Sequence, residues 1–251
     1  MNIDTFTRQF LFNEQYRRYL GVERECFISR KGTIVPEAPQ LLSVLPKNGR
    51  YSYELSACQL ETKTKPVTFR YLETELLEIE EIANNTSSSL GLSLIHLPVA
   101  PKDISLEIYQ DPTGRYANIA KQLSPEMLSA ACRVAAVHFH IGVCDTSEAI
   151  RVHGNLVDNF SELTEIGDTC SGERLGLYKV MVPDPIPRKY THWVDFYGDM
   201  ERRGVAEKPR ECWDLIRIST HGTVEVRVFD STPNVKKITE WAEIVLDFSG
   251  L

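Results

Sequence analysis

Two short runs alternate with the period of a β-strand. In Val137-His138-Phe139-His140-Ile141 and in Val224-Glu225-Val226-Arg227-Val228, apolar β-formers take one set of positions and ionisable residues the other. Side chains two apart in a strand share a face, and Val, Ile and Phe suit a pleated, packed surface. These runs therefore call for a sheet with one face turned to a core and the other carrying charge. A third run, Gly21-Val22-Glu23-Arg24-Glu25, sets Glu23 and Glu25 on one face, less cleanly because Arg24 falls on the opposite side. A fourth segment, Tyr53 to Thr64, adds Glu54 and Glu61. In one regular strand those two would face opposite sides, so their joint use requires a bulge or break between them.

The rest of the chain supplies helices in no strict alternation with strands. Thr68 to Ala83 is the strongest helix, with Leu72, Leu76, Ile79 and Ala83 at helical spacing. Further helices are expected over Thr7–Leu20, Ala38–Leu45, Ser124–Ala131, Ser147–Leu163, Lys189–Arg203 and Val235–Phe248. The run Asn84 to Ser89 reads as a helix end and loop. Strands are expected over Val22–Ser29, most of Tyr51–Lys65, Leu92–Val99 and Val134–Cys144. A hairpin joins Leu215–Thr220 to Val224–Phe229 through His221-Gly222. Irregular mixing of this kind disfavours a doubly wound parallel sheet. It points to an α+β fold with a largely antiparallel sheet.

Bulk properties narrow the function classes. The 251 residues suffice for one large domain or two small ones. The net charge of −7 and the lack of a basic tail argue against a nucleic-acid partner. Met1 to Leu20 carries Asp4, Arg8, Glu14, Arg17 and Arg18 and has no apolar core of signal-peptide length. No window reaches the roughly 18 apolar residues of a membrane span. The six cysteines are scattered with no Cys-x-x-Cys pair, which fits reduced thiols in a cytoplasmic protein better than a disulfide framework.

Singly, each pair on the charged face is ordinary. Glu-x-Glu is commonly solvated, His-x-His hydrogen-bonded, and Glu-x-Arg a weak surface pair. Together they are less ordinary, because a solvated face would more often carry Thr, Lys and Ser. Several carboxylates suit Mg²⁺, which prefers hard oxygen ligands and shares them with phosphate. Imidazoles are more usual on Zn²⁺, so spacing alone leaves a Zn²⁺ hydrolase open. Arg227 is placed to stabilise charge on a transferring phosphoryl group. Arg174 and Arg217 are further candidates for clamping phosphate or carboxylate. No convincing nucleophile–base pairing is visible.

Four motifs in order, Gly21-Val-Glu-Arg-Glu-Cys-Phe27, Gln59-Leu-Glu-Thr62, His138-Phe-His-Ile-Gly-Val143 and Gly222-Thr-Val-Glu-Val-Arg-Val-Phe-Asp230, resemble the signatures of glutamate–cysteine ligase family 2. These are carboxylate–amine ligases of the glutamine synthetase-like superfamily. The resemblance implies one catalytic domain over residues 1–251, built as a curved, mostly antiparallel sheet forming a funnel, with helices on its outer face. It implies that Glu25, Glu54 and Glu61 hold one Mg²⁺ and that Glu23, His138 and Glu225 hold a second. Two or three ions are expected, with Mn²⁺ as the alternative metal. His140 would lie near ATP, Arg227 at the phosphoryl group, and Arg174 loosely where the family carries a substrate-side arginine.

The implied reaction phosphorylates the γ-carboxylate of glutamate with ATP, and an amine, cysteine in the best-known members, then displaces phosphate. That is a step of glutathione biosynthesis. Partners are then small molecules, with no membrane and with homo-oligomerisation left open. The alternatives are the same chemistry on another carboxylate or amine, or a non-catalytic ATP- and metal-binding homologue. Family members commonly carry a helical region after the Glu-x-Arg strand, whereas about twenty residues follow Asp230 here. Part of the usual substrate cover is therefore expected to be absent or built differently.

Overall fold

The computed structural model describes residues 1–182 and 184–251. Its elements, in order, are α1 (Ile3–Thr7), a 3₁₀ turn (Glu14–Tyr16), β1 (Leu20–Arg30), β2 (Thr33–Ile34), α2 (Ala38–Val44), β3 (Tyr51–Tyr53), β4 (Gln59–Lys63), α3 (Phe69–Ser89), β5 (Ser93–Ile95), α4 (Arg115–Gln122), α5 (Pro125–Arg133) and β6 (Ala136–Gly142). There follow α6 (Thr146–Asp158), α7 (Phe160–Gly167), α8 (Glu173–Met181), α9 (Trp193–Arg202), a second 3₁₀ turn (Pro209–Glu211), β7 (Ile216–Ser219), β8 (Thr223–Asp230) and α10 (Val235–Ser249).

The strands form a sheet ordered β3-β4-β1-β6-β8-β7, with β2 and β5 also pairing with β1. Each of these pairings is antiparallel. The α+β, mostly antiparallel class expected from the sequence is the observed one. No helix among the described residues is long and apolar enough to cross a membrane.

The alternating runs set up the two faces. Val137, Phe139 and Ile141 of β6 and Val224 and Val226 of β8 are fully buried, in one core with Val152 and Leu156 of α6, Leu163 of α7 and Ile238, Trp241 and Val245 of α10. Each such buried aliphatic or aromatic side chain contributes about 1.5–3 kcal/mol. A second cluster packs Cys26 and Ile28 of β1 and Leu60 of β4 against Leu41 of α2 and Ile79 of α3. Arg24, the residue that spoiled the β1 pattern, is buried on this packed side and meets Glu80 of α3 at 3.4 Å. Helices α3, α6, α7 and α10 thus cover one face of the sheet, while the other carries the ionisable residues, with Tyr116 of α4 near Glu54 and Glu61 and Tyr178 of α8 near Arg227.

The alternation in β8 is interrupted once. A register shift between Val137 and Phe139 of β6 sets Phe139 against Val226 but Val137 against Phe229. Two residues of β8 oppose one of β6 there, as in a β-bulge. Phe229 thereby returns to the packed face, with its ring 5.0 Å from those of both Phe139 and Trp241.

Four expectations about elements change. The helix expected over Thr7–Leu20 does not form: α1 ends at Thr7 and only the 3₁₀ turn Glu14–Tyr16 follows, because tertiary bonds claim this backbone. Leu11 N–H donates to Thr220, Arg18 N–H to Gly142 and Leu20 N–H to Val67. This segment lies so close to the end of β6 that a Cβ on Gly142 would sit 2.0 Å from the Tyr16 carbonyl oxygen. In α3 the helix runs through Asn84–Ser89 rather than ending there. The hydroxyls of Ser87 and Ser89 donate to the Asn84 and Thr86 carbonyls, so they do not compete for the helix's own N–H groups. The helix expected over Ser147–Leu163 divides at Asn159, whose side-chain amide donates to the Asn155 carbonyl of α6. The Lys189–Arg203 helix begins only at Trp193, where the His192 side chain accepts from Asp195 N–H as the cap. The helices α4 and α8 were not foreseen.

Candidate functional site

The charged face is assembled across five strands. Glu25 stands opposite Glu61, and Glu23 opposite Lys63, across β1–β4. On the other side of β1, Glu23 stands opposite His138. His140 is opposite Glu225, which is opposite Arg217 of β7. Directly opposed residues point to the same side of a sheet, so cross-strand register alone gathers this set.

The carboxylates Glu25, Glu54 and Glu61 each offer an oxygen within 4.8 Å of the others. The break anticipated between Glu54 and Glu61 is present. β3 ends at Tyr53, the chain makes a bridge at Ser56 and a turn, and it returns as β4 from Gln59. Second contacts hold the oxygens in place. Glu25 Oε2 accepts from Ala136 N–H at 2.7 Å, Glu61 Oε1 accepts from Ser52 Oγ at 2.6 Å, and Lys63 Nζ lies 2.6 Å from Glu61 Oε1.

The electrostatics of this group are unfavourable to three bare anions. Burial pushes Glu25 up to about 7 against the pull of Arg227, the Ala136 N–H and Arg174. Burial, then the charges of Glu61 and Glu25, raises Glu54 well above the usual carboxylate range. Burial and the charge of Glu23 raise Glu61, with Lys63 opposing. A carboxylate cluster raised in this way is short of positive charge.

A second group is Glu23, His140 and Glu225, again with ligand atoms within 4.8 Å of one another. The set expected by resemblance had His138 in place of His140. His140 Nε2 is 3.4 Å from Glu23 Oε2, and its Nδ1 is 3.0 Å from Thr223 Oγ1. His138 lies between the two groups, with Nδ1 3.5 Å from Glu23 Oε2 and Nε2 3.8 Å from Glu25 Oε1. His138 Nδ1 and His140 Nε2 are both buried without a well-formed hydrogen bond. Burial, helped by the charge of Arg227, lowers His138 to about 4 and keeps its ring neutral. Burial would lower His140 as well, but Glu225 and Glu23 outweigh it and raise it. Glu23 is driven well below the carboxylate range: burial opposes this, and His140, His138 and Lys63 prevail.

Three arginines were singled out from the sequence, and they lie in different settings. Arg217 grips the fully buried Glu225 with two hydrogen bonds, Nε to Oε2 at 2.8 Å and Nη2 to Oε1 at 3.2 Å. Arg227 also bonds Glu225 Oε1, and its guanidinium lies 5.6 Å from the ring centre of Trp213. Although burial favours a protonated Glu225, these two arginines hold it below the usual range. Arg227 Nε is buried with no partner. Arg174, in contrast, is 1% exposed and bound into the scaffold: its Nε is 2.6 Å from Asp230 Oδ1, and its Nη2 donates to the Val228 carbonyl at 2.5 Å.

Sequence reasoning passed over Lys63 and Trp213. Lys63 had a usable signal, since it shares a strand face with Glu61 two residues before it. Trp213 follows the second 3₁₀ turn, outside any strand, and no periodicity marks it.

The donor set fits a hard divalent cation. Five of the six residues in the two groups are glutamates and one is a histidine. Carboxylate oxygen is the preferred ligand of Mg²⁺ and Mn²⁺, whereas a Zn²⁺ centre draws mainly on imidazole or thiolate.

No protein-family model matches the chain. Among curated proteins it is 27% identical to one provisionally named glutamate–cysteine ligase 2 from Thermobifida fusca (strain YX), over 90% of this chain and 62% of that protein. It is 24% identical to a protein of the same provisional name from Clavibacter michiganensis subsp. michiganensis, over 94% of this chain and 67% of that one. The chain therefore spans about two thirds or less of the length of these relatives. Among solved structures, a bifunctional glutathione synthetase from Pasteurella multocida aligns with a TM-score of 0.66 at 14% identity, covering 94% of this chain and 39% of that one. A Plasmodium falciparum glutamine synthetase aligns with a TM-score of 0.52 at 12% identity, covering 92% and 50%. These two likenesses concern the fold.

Proposed function

We propose that the chain, which has the glutamine synthetase-like fold and is 27% identical to a provisionally named glutamate–cysteine ligase 2, is a member of that family and an ATP-dependent ligase that joins a carboxylate to an amine. The carboxylate is the γ-carboxylate of glutamate and the amine is cysteine or a related amine. The single observation that carries this reading is the pair of carboxylate-rich groups, Glu25/Glu54/Glu61 and Glu23/His140/Glu225, side by side on the charged face of the sheet. Five glutamates gathered this closely, three of them with raised titration, are poor company for an anionic substrate unless cations join them.

The two groups, with His138 between them, would hold Mg²⁺ or Mn²⁺. Such ions supply neutralising charge at the triphosphate. The chain's own residues do the rest. Arg227 and Arg217 offer fixed positive charge beside Glu225, where negative charge on a transferring phosphoryl group is stabilised. Neutral His138 leaves one ring nitrogen with a free lone pair to offer a cation. Thr223 sets the ring of His140 through Nδ1. A carboxylate oxygen attacks the γ-phosphorus, ADP leaves, and the acyl phosphate is then attacked by the amine, which expels inorganic phosphate. No side-chain nucleophile is required, so the protein acts mainly by positioning and charge.

The test incubates the protein with ATP, Mg²⁺, glutamate and a panel of amines while phosphate and new amide are measured. Phosphate release that needs both glutamate and an amine is the expected result. Tight ATP binding without turnover for any pair would instead support a binding protein. Hydrolysis that needs Zn²⁺ and no ATP would overturn the ligase reading.

A further inference from the structure

Lys63 sits where the two carboxylate groups meet. Its Nζ is 2.6 Å from Glu61 Oε1 and 3.4 Å from Glu23 Oε1, so one ammonium bridges both groups. Its root is fixed by the sheet, because Lys63 stands opposite Glu23 in the β1–β4 register. Its side chain is 35% exposed, against 8% for Glu61 and 23% for Glu23. The head is thus on the carboxylates while the stem has a way out to solvent. Lysine carries a compact charge on a flexible stem, which suits it to exchange between two such positions.

We propose that Lys63 is a tethered counter-cation. In the ion-free chain it holds the carboxylate face together, and it competes with divalent cations for the oxygens of Glu61 and Glu23. When a cation takes those oxygens, Lys63 swings out along its exposed side. The two states share one set of oxygens, and a dication with several ligand positions outcompetes one ammonium only above a threshold concentration. The inference rests on reading this face as a divalent-cation site.

The test compares the full chain with Lys63→Gln and Lys63→Arg, each stripped with EDTA and then titrated with Mn²⁺ alone. Free Mn²⁺ is read by electron paramagnetic resonance, and thermal unfolding is followed in EDTA. Lys63→Gln is expected to bind Mn²⁺ about tenfold more tightly or better, the scale set by removing one unit charge beside a dication in a half-solvated site. In EDTA it should melt several degrees below the wild type. Lys63→Arg keeps the counter-charge and should show neither change. A Lys63→Gln protein that folds only with Mn²⁺ present supports the inference as well. Unchanged or weaker Mn²⁺ binding by Lys63→Gln overturns it while the cation reading of the face survives. Failure of folded wild type and folded variant alike to bind Mn²⁺ overturns both.

Discussion

Replacing Glu25 by glutamine should make the ion-free protein more stable at alkaline pH, although it removes a ligand from the candidate site. The Glu25 side chain is 13% exposed, and burial pushes its carboxyl from 4.5 up to about 7. A carboxyl raised this far withholds about 3 kcal/mol of folding stability once ionised. The sign follows from linkage. An acid whose folded value exceeds its unfolded value contributes its stability below 4.5, and that contribution is lost as pH rises through about 7. Glu54 and Glu61 are raised too and push the same way. Glutamine is close in shape and retains an acceptor for the Ala136 N–H. In EDTA at pH 8, Glu25→Gln should therefore unfold at higher denaturant concentration than the wild type, by up to about 3 kcal/mol. At pH 5 the two should be close. Mg²⁺ should stabilise the wild type strongly and the variant little, and turnover should be lost. Urea unfolding with and without Mg²⁺ at the two pH values measures all of this. A variant less stable than the wild type at pH 8 in EDTA, or one gaining as much from Mg²⁺, would refute the reasoning.

Glu225→Gln behaves differently. From sequence alone it is expected to leave the fold intact, but Glu225 is fully buried between Arg217 and Arg227. Removing its charge leaves two confined guanidiniums without a counter-ion, and chemical denaturation at pH 7 should show a loss of about 3 kcal/mol. For Arg174→Met, breaking the buried pair with Asp230 should cost about 3–5 kcal/mol. A folded Arg174→Met protein with normal stability and a raised KM for the amino acid would instead favour the substrate-side role implied by resemblance.

The charged face was the most legible feature of the sequence, and for a local reason. The period of two in β6, and in β8 as far as Val226, fixes which residues share a side, and antiparallel pairing then brings those sides together. The odd spacing of Glu54 and Glu61 likewise demanded a break, and the chain has one between β3 and β4. What stayed hidden depends on distant partners. Nothing within Thr7–Leu20 announces that Thr220, Gly142 and Val67 will take its N–H groups. Two histidines on one face cannot be told apart by periodicity, since the opposition of His140 to Glu225 depends on the register of β8, which carries its own bulge. Arg174 resembled a free clamp because its partner, Asp230, is 56 residues away.

The central claim, that a carboxylate is activated by phosphorylation on this face, has a direct chemical signature. In the proposed reaction one oxygen of the acceptor carboxylate leaves with the phosphate when the amine attacks. Glutamate labelled with ¹⁸O in its γ-carboxylate, turned over with ATP, Mg²⁺ and an amine substrate, should yield inorganic phosphate carrying one ¹⁸O atom per amide formed. Amide formed with unlabelled phosphate would contradict the account.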